Sequence, residues 1–280
     1  MIVIHHNDID GRCSAAIVKY YDDRREPQND ITFIEMDYSM EVPFDKIKQD
    51  EAVIIVDFSL KPKQMEKLRE ITEVIIWIDH HKTAAEYPYQ DLAGIRNFND
   101  KEMSGCELTW QYYFSMCGPA MPKAVKLIGD YDKWALKMQP ECFEFYEGLK
   151  MTSQNPTEGM WPCLFENDSA CDMIIEQGQF AISYRDSYCL DMLKGYGYKT
   201  EIDGQMAIAL NLYRFGSKQF GDAIKKYPVL IAYIHNGENF TVSLYSEKVD
   251  VSEIAKNHGG GGHQGAAGFV CKELPFNRIA

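Results

Sequence analysis

The chain has 280 residues, enough to bury a substantial core in one or two domains. Hydrophobic residues at 45% and charged residues at 25% are ordinary for a soluble globular protein. A formal net charge of −13 argues against a protein built to grip long duplex nucleic acid, which needs a basic surface; a small or single-stranded phosphate substrate stays open if bound cations supply the positive charge.

The chain starts directly with Met-Ile-Val-Ile-His-His, and nothing marks secretion or membrane insertion, so a cytoplasmic protein is expected. Ile2 to His5, Thr32 to Met36, Val53 to Val56 and Val74 to Ile78 are short β-branched runs of strand length. Helix-like segments such as Ser14 to Tyr21 and Lys61 to Ile71 lie between them, the pattern of a parallel sheet covered on both faces. From Ser104 to about Cys189 the pattern is helical: Cys106–Tyr113, Pro119–Tyr131 and Cys171–Met192 lack strand-like runs, and residues 155–159 read as a loop. The aromatic and Met-rich stretch from Trp134 to Phe165 reads as helical core rather than as a cleft lining. Strand character returns at Met206–Leu210, Val229–His235 and Phe240–Tyr245, with Asn236-Gly237 as a hairpin turn. The boundary is expected near Gly195–Glu201, where Gly-Tyr-Gly-Tyr interrupts the helix, giving segments 1–195 and 201–280. The eight cysteines form no CxxC pair and read as free thiols in a reducing compartment.

Three of these strands run straight into acidic groups: His5-His6-Asn7-Asp8-Ile9-Asp10-Gly11, Val56-Asp57 and Ile78-Asp79-His80-His81. In an open parallel sheet the carboxyl ends of the strands share one edge, where ligands bind. A lone Asp at a strand end is commonly a turn or helix cap, and a lone buried His is commonly a satisfied core residue. Two adjacent His after an Asp, on one edge with a D-x-D-G and a third acidic site at Asp57, favour a metal centre. So many carboxylates raise one another's pKa unless cations lie between them, and mixed carboxylate and imidazole donors suit manganese, iron, cobalt or zinc. Strand parity groups His6 with Asp8 and Asp10 if the chain stays extended, and turns His5 toward packing.

Near the other end lies Gly259-Gly260-Gly261-Gly262-His263-Gln264-Gly265-Ala266-Ala267-Gly268, after a short helix at Val251–Lys256 capped by Asp250 or Ser252. Consecutive glycines allow positive φ and close approach to a ligand, and their N–H groups can form an anion-binding nest.

The chain resembles the DHH phosphoesterase family, named for the triplet that stands here as Asp79-His80-His81. Four landmarks match in order: His6-Asn7-Asp8-Ile9-Asp10-Gly11, Asp57, Asp79-His80-His81 followed by Lys82-Thr83, and Gly129-Asp130. The terminal Gly-Gly-Gly-His-Gln-Gly-Ala-Ala-Gly is similar to the hallmark of the DHH-associated C-terminal domain. The resemblance implies an α/β enzyme: a parallel-sheet DHH domain with helices on both faces, a smaller α/β C-terminal domain, and two divalent metal ions, commonly Mn2+, in a cleft between them. It implies that His6 and Asp8 hold one ion, that Asp10, His80 and Asp130 hold the other, and that Asp57 bridges both. His81 would face the substrate phosphate, and Asp79 would orient its neighbours. Asp132 is the weaker candidate beside Asp130, because the family pattern places the ligand directly after the glycine. Ser104-Gly105-Cys106 is assigned no role beyond helix capping. Gly260, Gly261, Gly262 and His263 would bind substrate. Nano-RNases of the family read valine-serine-x-arginine-serine upstream of the glycine run; here Val242-Ser243-Leu244-Tyr245-Ser246 puts Tyr245 in place of the cation. Tyr245 can stack on a base or donate one hydrogen bond, but it cannot neutralise a phosphate.

The expected function is a manganese-dependent phosphodiesterase acting on a short single-stranded oligonucleotide or small nucleotide. An exopolyphosphatase or other small-phosphate hydrolase is the alternative enzyme. A catalytically silent nucleotide-binding protein is disfavoured, because every expected ligand position is filled. No membrane partner is expected, and a homodimer is left open.

Overall fold

The computed structural model describes residues 1–99, 102–114, 118–212 and 216–279. They divide into two compact units, Met1–Ala181 and Ile182–Ala280.

In the first unit β1 (Ile2–His6), β2 (Thr32–Met36), β3 (Val53–Val56) and β4 (Ile75–Ile78) form an all-parallel sheet in the order β2-β1-β3-β4. Its strands are apolar on both faces because both faces are covered. Val3, Ile54, Val56 and Ile78 pack against Ala15 and Val18 of α1 (Ile9–Asp22) and Leu108 of α3 (Gly105–Phe114). The alternate residues Ile4, Ile55 and Trp77 pack against Met65 and Leu68 of α2 (Pro62–Arg69).

A helical layer follows: α4 (Lys123–Asp132), α5 (Glu141–Leu149), α6 (Met160–Glu166) and the 29-residue α7 (Asp168–Tyr196). Phe145, Leu149, Trp161 and Leu164 are buried there with Trp110 and Ile128, so the stretch expected as helical core is core. Full burial of such side chains contributes about 1.5–3 kcal/mol each. Trp134 and Met151 are the mostly exposed large hydrophobic side chains of that stretch, at 61% and 55%.

The division between the units falls inside α7. In the second unit β5 (Tyr198–Ile202), β6 (Gln205–Asn211), β7 (Val229–His235), β8 (Phe240–Tyr245), β9 (Gly261–His263) and β10 (Ala266–Cys271) form a separate sheet in the order β5-β6-β7-β8-β10-β9. One face buries Ile231, Val242 and Leu244 against Val251, Ile254 and Ala255 of α9 (Val251–Asn257). The other buries Leu210, Leu230 and Ala232 with Cys189 of α7 and packs beside Ala223 and Ile224 of α8 (Ala223–Lys226). Asn236-Gly237 turns the β7–β8 hairpin, with Gly237 at φ 101° and the Asn236 carboxamide accepting from the N–H of Glu238 and Asn239. Among the described residues the cysteines are unbridged and no helix is long and apolar enough to cross a membrane. Cys117 lies outside the described residues.

Candidate metal centre

Parallel register sets the site. His5 pairs with Val56, and Val56 pairs with Ile78, so His6, Asp57 and Asp79 leave the sheet at one edge. Three groups of ligand-type side chains gather there: His6, Asp8 and Asp57; Asp10, His80 and Asp132; and Asp57, His80 and His81, with ligand atoms inside each group within 4.8 Å of one another.

Each side chain is aimed by local structure. Asp8 is the N-cap of α1; its Oδ1 accepts from the Gly11 N–H at 2.9 Å, and its Oδ2 lies 2.6 Å from His6 Nδ1. The chain therefore leaves the strand at His6, and the extended parity that grouped His6 with Asp8 and Asp10 does not continue past it. His6 joins the cluster through the helix cap instead. His5 turns to the opposite face, buried, with its ring Nδ1 2.8 Å from the His6 carbonyl. Asp79 is fully buried; its Oδ1 accepts from the His80 N–H at 2.9 Å and lies 2.7 Å from His81 Nδ1, while its Oδ2 accepts from Ser59 Oγ. That arrangement suits an orienting role.

Asp10 is gripped by the N-terminus of α3. Its Oδ2 accepts from Gly105 N at 2.7 Å, and its Oδ1 accepts from Ser104 Oγ at 2.9 Å and Cys106 N at 3.0 Å. The free N–H groups of a helix start favour such a carboxylate. Glu107 steadies this start by accepting from Ser104 N at 2.8 Å and from Lys133 Nζ at 2.5 Å. Ser104-Gly105-Cys106 thus does more than cap its own helix.

Asp130 does not join the cluster, which corrects its selection over Asp132. Its two carboxylate oxygens accept from the backbone N–H groups of Lys137 and Met138 at 3.0 and 2.8 Å, so it braces the turn after α4. Residues two apart on a helix point about 200° apart, so only one of the pair can face the site. That residue is Asp132, whose Oδ2 lies 3.6 Å from His80 Nε2. Sequence proximity to Gly129 favoured Asp130; the Gly-Asp-Tyr-Asp spacing carried the signal that one acid would face away.

The electrostatics favour cations. Burial, then the fields of Asp10 and Asp8, push the Asp57 carboxyl well above the usual range, and the same causes push Asp132 up to about 8. Burial also works against ionised Asp8, but the His6 hydrogen bond and charge outweigh it and hold that carboxyl low. Both Asp57 oxygens are buried with no hydrogen-bond partner among the described residues, although His80 Nε2 lies 3.2 Å from Oδ1. A native carboxylate left so is costly unless something else ligates it. Carboxylate and imidazole donors crowded around unpartnered oxygens fit divalent metal ions.

The substrate-side candidates lie in the second unit. Gly261–His263 form the short edge strand β9; Gly259 and Gly262 are the run's positive-φ positions, at 79° and 144°. The run is thus a strand rather than a free nest, and Gly260 N is committed to the Ala255 carbonyl at 2.8 Å. Tyr245 pairs with Ala266, which pairs with His263, so Tyr245 and His263 share one sheet face across β10. His263 is exposed, whereas Tyr245 is half-buried against the Leu210–Leu230 cluster.

Residues 1–128 match the DHH family, N-terminal domain. The chain is 26% identical over 303 residues to the uncharacterized protein R106 of Acanthamoeba polyphaga mimivirus, covering 99% of this chain and 70% of that protein. Among solved structures it is similar in fold to the pGpG-specific phosphodiesterase PggH of Vibrio cholerae, at TM-score 0.52 and 14% identity over 97% of this chain and 93% of that one. It is also similar to the DHH domain of a member of the s1p family of ribosomal proteins, at TM-score 0.54 and 12% identity over 96% of this chain and 82% of that one. The Asp79-His80-His81 triplet, at the edge of the parallel sheet, lies within the stretch that matches the DHH family, N-terminal domain.

Proposed function

We propose that the protein is a metal-dependent phosphodiesterase that hydrolyses short oligonucleotides or small nucleotides, with residues 1–195 carrying the metal centre and residues 201–280 binding substrate. The observation that carries this reading is Asp57: two buried, unpartnered carboxylate oxygens standing in one group with His6 and Asp8 and in another with His80 and His81. In this reading His6, Asp8 and Asp57 would hold one divalent ion, and Asp57, Asp10, His80 and Asp132 the other, manganese being the expected ion among the manganese, iron, cobalt and zinc that such donors suit. Bound ions of this kind lower the pKa of water and stabilise charge on phosphoryl oxygens.

The chain's own residues do the rest. Asp79 accepts from His81 Nδ1–H and favours the protonated ring, in which Nε2–H can donate to a non-bridging phosphate oxygen. The N-terminus of α3 holds Asp10 aimed at the cluster. The exposed His263, on the face shared with Tyr245, would engage the terminal phosphate or nucleotide, with Gly260–Gly262 allowing close approach. The description of the Vibrio cholerae protein as a pGpG-specific phosphodiesterase supports a dinucleotide-sized substrate.

A substrate panel with added manganese tests this: di- to pentanucleotides, adenosine 3′,5′-bisphosphate, cyclic dinucleotides and polyphosphate. The expected result is fastest turnover on linear di- to pentanucleotides. Hydrolysis of polyphosphate alone, or of nothing in the panel, contradicts it.

A further inference from the structure

Beside the cluster stands one aromatic ring that the centre does not use. Tyr38 follows β2 in a turn that is closed on itself: Asp37 Oδ1 accepts from the Ser39 N–H at 2.7 Å and from Ser39 Oγ at 2.5 Å, and Met40 N donates to the Asp37 carbonyl at 3.1 Å. Asn7, between His6 and Asp8, donates to Asp37 Oδ2 at 3.4 Å and ties this turn to the site. The Tyr38 ring stacks on the buried Phe58 at 4.7 Å and 26°. Its centroid lies 5.8 Å from that of His6 and 5.9 Å from that of His81. Yet the residue is 39% exposed.

A large aromatic held rigidly, with one face on a buried ring and a good part of its surface in solvent, is what a planar π-system needs as a partner. Among the described residues Phe58 is its one face-on ring partner. A second aromatic stack near the acidic groups differs: Tyr146 has Tyr131 stacked on it at 3.7 Å and the Lys150 ammonium 5.0 Å from its ring centroid.

We propose that Tyr38 is the stacking platform for the nucleobase next to the scissile phosphate, making the substrate a nucleotide ester rather than an inorganic phosphate chain. This rests on the phosphodiesterase reading above. A phosphate engaged by His81 would carry its base one sugar away, and the Tyr38 ring centroid, 5.9 Å from that of His81, is within that reach. Stacking is tolerant of base identity, so the platform selects for having a base and not for which base.

The test compares wild type, Tyr38→Ala and Tyr38→Trp, manganese-loaded, on a dinucleotide and on the same phosphodiester with both bases removed. Tyr38→Ala should lower the ratio of kcat/KM for dinucleotide over abasic substrate about tenfold, the scale of a lost base–aromatic stack, while Tyr38→Trp keeps it. Bound manganese per chain should stay constant across the three proteins. Equal losses on both substrates, or lost metal, would show that Tyr38 only supports His6 and His81, and an unchanged ratio would overturn the platform outright. Titration with a dinucleotide carrying a methylenephosphonate linkage separates the two readings. If wild type hydrolyses no phosphodiester yet binds this analogue with Tyr38-dependent affinity, the activity is wrong and the platform stands. If wild type hydrolyses dinucleotides and Tyr38→Ala binds the analogue as tightly, the platform is wrong and the activity stands.

Discussion

A Cβ at Gly105 would come within 2.5 Å of both the Cβ and the Oδ1 of Asp57. The start of α3 therefore presses its backbone against one acid of the cluster while its N–H groups grip another, Asp10. No larger residue can sit there without moving Asp57 or loosening Asp10. Gly105→Ala should keep the fold and weaken manganese affinity about 10- to 100-fold, the usual effect of disturbing groups that orient metal ligands. Calorimetric titration with manganese checks this, and an unchanged affinity would remove Gly105 from the centre.

Asp130 and Asp132 should part ways under the same substitution. Asp132→Asn removes a like charge from the cluster, so the metal-free protein should melt at the same temperature or higher, while bound metal and turnover fall. Asp130→Asn leaves the Lys137 and Met138 N–H groups competing for one acceptor oxygen and should cost about 1 kcal/mol of stability with metal content kept. Metal analysis and melting curves on the two variants decide it; the reverse pattern would restore Asp130 as the ligand.

Without metal, the acidic cluster should make the protein more stable as pH falls. Asp57 and Asp132 are acids whose folded pKa lies above the unfolded value, so near neutrality the native state holds protons that the unfolded state has released. Stability then rises on acidification from about pH 8.5 to about pH 6.5. His81, also raised in the folded state because Asp79 overcomes the effect of burial, acts in the same direction. Below that window His5 opposes the trend, since burial keeps it neutral and protonating it costs stability. Saturating manganese should reverse the slope, because metal competes with those protons. Melting temperatures across this window, with chelator and with manganese, measure both; a chelated protein that loses stability on acidification would contradict the cluster's charge.

His263→Ala should leave melting temperature and metal content alone, because the side chain is exposed and exposed substitutions usually act within about 0.5 kcal/mol. Engagement of a dinucleotide should weaken, read as a raised KM. Full activity in a stable His263→Ala protein would take β9 out of substrate binding.

The alternation of β-branched runs with helices made the parallel sheet legible, and the sheet in turn predicted that Asp57 and Asp79 would share an edge. What one sequence could not carry was direction at the helix starts. Strand parity groups His6 with Asp8 and Asp10, but the chain turns into α1 at Asp8, and His6 meets the Asp8 carboxylate across that turn instead. Asp132 was set behind Asp130 because spacing from Gly129 says nothing of which acid the following turn will use. The grip of Ser104–Cys106 on Asp10 spans more than ninety positions and leaves no periodic trace, so it emerges only once α1 and α3 pack. Four glycines carry no strand signature, so the sequence points to an anion-binding nest where the structure has β9; its pairing comes from β10.

Whether two ions share Asp57 is read most simply from anomalous diffraction of a crystal grown with manganese. Two anomalous peaks should flank the Asp57 carboxylate, one beside His6 and Asp8 and the other beside Asp10, His80 and Asp132. A single peak that Asp57 does not touch, or no peak at this edge of the sheet, would contradict a shared Asp57.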